Sequence, residues 1–294
     1  MTERLNHFKF LNPAGAFETP YSLSEGAMVD GVRTEAVEEE VYRLACLELR
    51  GGNGFASYSA ELPGLLGWIS CNPLHPATRG GDLYYLSACS HGSIARVVLA
   101  DVAGHGEIVS AAALRLHDAL LEHVDHWDQS ALIRELNSSF LKTSSRAQYA
   151  TAFLASYYSD SGELLFTNAG HPPPLWYRAA AREWTFLSDS TPFSKEILDL
   201  PLGMIAGTGY SQTAVQIEPG DLLLLYTDGI SESCDESGEQ LGLGRLLAIA
   251  NTLPTDSAAS TGQALLAAVA NFRGNVLSAD DETVIALERH ALTV

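Results

Sequence analysis

Basic residues are in short supply: 17 Lys and Arg stand against 36 Asp and Glu among 294 residues, for a formal charge of −19. The few cations are scattered and form no stripe, so nothing in the chain draws in phosphate backbones or anionic headgroups at long range, and nucleic acid and membrane surfaces are poor partners. Cysteine is equally sparse. Cys46, Cys71, Cys89 and Cys234 lie far apart, with no C-x-x-C pair and no histidine at ligand spacing, which argues against a zinc site and for thiols in a reducing compartment. No apolar stretch approaches the ~20 residues that span a bilayer, and the opening MTERLNHFKFLNPAG has no apolar core of signal-peptide length. These absences lead to the expectation of a cytoplasmic protein. With 46% hydrophobic and 18% charged residues, the chain has material for one large core or two modest ones.

Up to about Arg33, polar and aromatic residues mix without a period, compatible with a loose arm or a packed extension. Over residues 35–49, Val37, Val41, Leu44 and Leu47 recur at helical spacing with acids near the start, which predicts a helix. After the break RGGNG, the runs LLGWISC, DLYYLSA and ARVVLAD predict strands. Residues 105–123 and 130–141, rich in Ala and Leu and free of proline, predict two helices. YATAFLASYYS and GELLFTNAG, joined at DSG, predict a hairpin. PPLWYR, EWTFLS, SQTAVQIE and DLLLLYTDG predict further strands, followed by helices near residues 242–250 and 261–272 and a final strand, ETVIALER. Successive strands with helices grouped between them predict an α+β layered fold of mostly antiparallel sheets. No linker or repeat divides the chain, so one domain over residues 51–294 is expected after an N-terminal extension, residues 1–50, with one helix.

Acidic residues fall at the ends of the strand-like runs: Asp82 in RGGDLYY, Asp101 in VVLADVAGHG, Asp228 in LLLLYTDGI, and Asp280 with Asp281 in SADDETVIAL. Local turn chemistry accounts for any one of them. Four at matching positions point further, because strand ends beside glycine-bearing turns can bring carboxylates together at a rim, and hard divalent cations take oxygen ligands of this kind.

The ordered set Gly80-Gly81-Asp82, Asp101-Val102-Ala103-Gly104-His105-Gly106, Asn168-Ala169-Gly170-His171-Pro172, Pro201-Leu202-Gly203, Tyr226-Thr227-Asp228-Gly229 and Asp280-Asp281-x-Thr283 resembles the PPM (protein phosphatase 2C-like) family. Within it, the set is similar to the bacterial branch of stage II sporulation E and of stress-response regulators of sigma factors. The resemblance covers residues 63–289, about three quarters of the chain. It implies an α-β-β-α sandwich of two mostly antiparallel sheets flanked by helices, two Mn2+ or Mg2+ ions, and hydrolysis of phosphoserine or phosphothreonine on a protein. By position, Asp101 would bridge the metals with the Val102 carbonyl beside it, Asp82 would serve one metal, and Asp228 with Asp280 the other. Asp281, where relatives carry Asn or Asp, would stand behind these ligands. His105 occupies a position where many relatives have lysine; it would act as a general acid toward the leaving group, or simply cap a helix. Tyr85 replaces an Asp that family members often carry after G-G-D-x-Y. His171 reads equally as a site neighbour or a turn residue, and Arg79 as a solvated loop arginine or a phosphate contact.

Two other readings compete: a catalytically silent pseudophosphatase acting as a scaffold, and a different metal hydrolase. Retention of all four principal aspartates argues against the first, and the lack of a basic groove against a nuclease. The expected partners are a phosphorylated signalling protein, such as an anti-sigma-factor antagonist, and a regulatory protein. The helix expected over residues 35–49 would mediate pairing, including homodimer formation, or contact with that regulator.

Overall fold

The structure is a computed structural model and describes residues 41–45, 48–89, 93–104, 107–123, 128–143, 148–187 and 199–290. Two sheets stack face to face. The first, in spatial order, comprises β11 (Thr213–Gln216), β8 (Glu163–Ala169), β7 (Ala150–Tyr158), β6 (Ile94–Val102), β5 (Arg79–Cys89) and β2 (Leu49–Gly54). The second comprises β1 (Val41–Arg43), β3 (Ala56–Leu62), β4 (Leu65–Asn72), β13 (Glu282–Arg289), β12 (Leu222–Tyr226), β9 (Leu175–Arg178) and β10 (Glu183–Phe186). Every strand pair is antiparallel except β1 with β3.

Three apolar layers hold the sheets. Residues such as Ile69, Leu86, Leu99, Phe153, Leu225 and Ile285 fill the space between them. On the outer face of the first sheet, α1 (Glu107–Glu122) and α2 (Gln129–Thr143) cover Leu83, Val98 and Leu154. On the outer face of the second, α4 (Gly242–Ala250) and α5 (Ala258–Arg273) cover Trp68, Leu224 and Ala286. A short helix, α3 (Asp228–Ser231), follows β12 directly. The central strands are therefore buried on both sides: β12 reads as an unbroken apolar run and β6 as one interrupted by Arg96 and Asp101. This is the expected α-β-β-α sandwich. Among the described residues no helix is long and apolar enough to cross a membrane.

The helix expected over residues 35–49 is corrected where the structure describes it. Val41–Arg43 forms a strand beside Ser59–Glu61, and β2 begins at Leu49. Tertiary pairing overrides the local helical period here. Arg50 on β2, an edge strand of the first sheet, stacks 3.6 Å from the ring centroid of Tyr42 on β1 at the edge of the second. The cation–π contact fastens the two edges together. The glycine-rich β2 pairs with β5 because Gly51 lies so close to Tyr84 that a Cβ there would stand 2.3 Å from its carbonyl oxygen. β11 and β12, adjacent in sequence across the PGD turn, belong to different sheets.

Candidate active site

Strand alternation decides where the aspartates point. On β5, Tyr84, Leu86 and Ala88 face the layer between the sheets, while Leu83 and Tyr85 face the helices. Asp82 has the parity of the first group. On β6, Asp101 has the parity of Ala95, Val97 and Leu99, which also face that layer. Asp82 and Asp101 are cross-strand partners, and Thr151 on β7 stands opposite Asp101 on its other side. Directly opposed side chains of this kind have Cβ atoms about 5 Å apart. The second sheet obeys the same rule: Thr227, next after Leu223 and Leu225, and Thr283 and Asp281, ahead of Ile285 and Leu287, point to the same layer. One end of an otherwise apolar interior is thus lined by polar groups from both sheets.

Hydrogen bonds join the two halves. The Thr227 hydroxyl donates to Asp82 Oδ2 at 2.8 Å and accepts from the Thr283 amide at 3.1 Å. Asp228 opens α3, and Asp280 sits in the turn before β13, its Oδ1 accepting from the Asp281 amide at 2.9 Å. Gly229 must lack a side chain, because a Cβ would fall 2.0 Å from the Asp281 carbonyl oxygen.

The electrostatics are those of like charges held in a dry place. Burial pushes the Asp82 carboxyl well above the usual range, with Asp281 and Asp228 adding to the shift and the Thr283 and Thr227 hydroxyls opposing it. Asp101 rises to about 9, chiefly through burial and then through Asp82, Asp228, Asp280 and Asp281. Asp228 rises to about 6 through burial, Asp280 and Glu232. Each group makes its neighbours harder to ionise, and a divalent cation would reverse that.

All five sequence-predicted aspartates therefore come together at one end of the sandwich. Val102, also predicted, is buried beside them, and a Cβ on Gly81 would stand 2.7 Å from its carbonyl oxygen. His105 lies outside the described residues. Arg79 opens β5 and is exposed at the rim. Among the described residues no three acidic, histidine or cysteine side chains close on a single point at ligating distance. The donor set nevertheless fits hard divalent ions: all carboxylate and carbonyl oxygen, largely buried, with an excess of negative charge.

Thr227, Thr283 and Asn53, at this end, carry no predicted role. Thr227 and Thr283 lie inside the quoted motifs, and their inward parity would have identified them. Asn53 Nδ2 donates to the Gly80 carbonyl at 3.0 Å and to Ser110 Oγ at 3.0 Å, tying β5 to α1; nothing in the glycine-rich segment around it signals this. His171 is buried, with Nδ1 sharing a 2.8 Å hydrogen bond with Thr151 Oγ1. The Asn168 side chain grips the His171 backbone at both its amide and its carbonyl, closing the turn at Gly170. Burial holds His171 neutral, at a pKa of about 3.

Comparison with known proteins agrees with this architecture. The chain is 28% identical over 167 residues to the phosphoserine phosphatase RsbU of Bacillus subtilis, a match covering 55% of this chain and 46% of that one. The chain thus spans about half the length of that relative. Among solved structures, the RsbU and RsbW domains of Rv1364c from Mycobacterium tuberculosis match with a TM-score of 0.65 at 24% identity, over 81% of this chain and 64% of that one. The catalytic domain of the serine/threonine phosphatase PstP, in complex with two manganese ions, matches with a TM-score of 0.53 at 16% identity, over 77% of this chain and 99% of that one. Residues 92–290, more than half of the chain, match the stage II sporulation protein E (SpoIIE) family model, and the chain belongs to that family.

Proposed function

We propose that this chain is a metal-dependent protein serine/threonine phosphatase acting on a phosphorylated signalling protein. The observation that carries the reading is the convergence of Asp82, Asp101, Asp228 and Asp280, from two sheets, at one end of the interior layer. In this reading Asp101, the Val102 carbonyl, Asp82, Asp228 and Asp280 would together hold two Mn2+ or Mg2+ ions. Asp281 stands behind them. When bound, the ions would lower the pKa of a shared water and neutralise charge on the phosphoryl oxygens.

The chain's own contribution is positional. Asp82 and Asp101 are spaced by the β5–β6 ladder, and Thr227 fixes one oxygen of Asp82 across the gap between the sheets. Apolar packing behind them excludes bulk water and strengthens every charge interaction at the rim. In this reading Arg79, exposed at the start of β5, would hold a substrate phosphate, and His105 would return a proton to the leaving oxygen. The relatives named as phosphoserine phosphatases support phosphoserine as the group attacked; in this reading it stands on a signalling protein such as an anti-sigma-factor antagonist.

Residues 51–294 form the phosphatase domain in this reading, and the segment up to residue 50 a regulatory or pairing portion, including homodimer formation. Because β1 already pairs with β3, the test of that portion is removal of residues 1–40, leaving the strand in place. Unchanged activity, regulation and oligomeric state would end the idea. The activity itself is tested by manganese-dependent phosphate release from a phosphoserine peptide and from p-nitrophenyl phosphate, with chelator and with Asp101→Asn. Release that needs manganese and disappears in the variant is expected; manganese binding without turnover would point to a scaffold.

A further inference from the structure

One aspartate at the carboxylate end differs from the rest. Both oxygens of Asp281 accept main-chain hydrogen bonds: Oδ1 from the Leu74 amide and Oδ2 from the Gly81 amide, each at 2.6 Å. The residue is 2% exposed. Its carboxylate lies against Gly80, where a Cβ would meet Oδ1, Oδ2 and Cγ at 2.3–2.5 Å. Its own carbonyl oxygen occupies the space that a side chain at Gly229 would need. Asp281, in the segment that follows Asp280 and leads into β13, therefore touches three others: the β4–β5 connection at Leu74, the start of β5 immediately before Asp82, and the start of α3 immediately after Asp228.

From this geometry we propose that Asp281 is a positioning residue: a clamp whose carboxylate fixes the Gly81 amide, and with it Asp82, and whose main chain seats Gly229 beside Asp228. It binds no cation itself. Both of its oxygens are already engaged by main-chain N–H groups, whereas Asp101 and Asp228 are surrounded by like charge. Gly80 and Gly229 become intelligible as the cavity for this clamp: one admits the carboxylate, the other the peptide. The inference rests on the two-metal reading for what is being positioned, but the clamp can be tested apart from it.

The two kinds of aspartate respond in opposite directions in metal-free protein. Asp280→Asn removes one of several repelling charges and raises the melting temperature. Asp281→Asn keeps only one acceptor oxygen, leaves an amide donor facing an N–H, and lowers the melting temperature by about 2–5 °C. Calorimetric titration with Mn2+ completes the test: Asp281→Asn keeps two bound ions, with affinity weakened roughly tenfold, as for groups that orient ligands from behind, while Asp280→Asn loses one. Gly80→Ala, which pushes the carboxylate off its amides, gives the same fingerprint as Asp281→Asn and serves if that variant fails to fold. An Asp281→Asn protein that melts higher and loses a manganese would make Asp281 a ligand and overturn the clamp. If wild type binds no manganese, the two-metal reading fails, while the opposite shifts in melting temperature still decide the clamp.

Discussion

Two rows of the same strand pair, on the same face, have opposite chemistry. Tyr84 with Leu99, and Leu86 with Val97, are cross-strand partners packed in the middle of the sandwich. One step along in the same register and parity come Asp82 and Asp101. The apolar rows are satisfied by the opposite sheet. The acidic row gains nothing from burial and raises the proton affinity of its own members. The difference teaches that the apolar rows determine the register, and the register then forces the carboxylates together against their mutual repulsion. Slipping by one residue would turn both sets over to the helix side, so the stability of the middle fixes the geometry of the end.

The largest effect expected from breaking this contrast is at Asp101. Asp101→Asn should lower manganese-dependent phosphate release by at least about a thousand-fold, near 4 kcal/mol in the barrier, while thermal melting of the metal-free protein shifts upward. A variant that is both inactive and less stable would mean that the acidic row contributes to folding after all. Next is the apolar row: Leu99→Ala, at a fully buried position, should cost about 2–5 kcal/mol in urea unfolding, with manganese stoichiometry unchanged in the protein that remains folded.

His171 sharpens the comparison from the far end of the acidic row, where it bonds to Thr151. Its folded pKa of about 3 lies below the ordinary value of 6.5, so the unfolded chain binds the proton first as pH falls. The stability associated with the neutral ring is complete above pH 6.5 and drains away between 6.5 and about 3, at up to about 1.4 kcal/mol per pH unit. His171→Gln should flatten that part of the stability–pH curve relative to wild type, and identical curves would refute the assignment. The smallest effect belongs to the outer layer. Ser257 caps α5 by accepting from the Ser260 amide at 3.1 Å; Ser257→Ala should cost about 1 kcal/mol of stability and leave kcat untouched.

Much of this was legible from residue order. The buried strands announce themselves as β-branched and aromatic runs, and the aspartates at their ends mark the site. What escaped had distant causes. The helical period over residues 35–49 gives way to pairing of Val41–Arg43 with Ser59–Glu61, and Gly51 and Gly52 form a strand because Tyr84 leaves no room for a side chain at Gly51. β3, ASYSAEL, alternates buried and part-exposed positions too weakly in its small residues to stand out. The role of Asp281 depends on amides some 200 residues away in the chain, which no local pattern encodes.

Asp101 lies near the end of β6, a central strand of the first sheet bonded on both sides by β5 and β7, whereas Asp228 begins a four-residue helix and Asp280 sits in a turn. The two halves of the site should therefore run on different clocks. Amide hydrogen exchange at Leu99 and Ala100 should wait for opening of the whole sheet, while the α3 and Asp280 segments should exchange by local opening. A bound cation, by tying the second half to the first, would slow exchange around Asp228 and Asp280 far more than around Asp101.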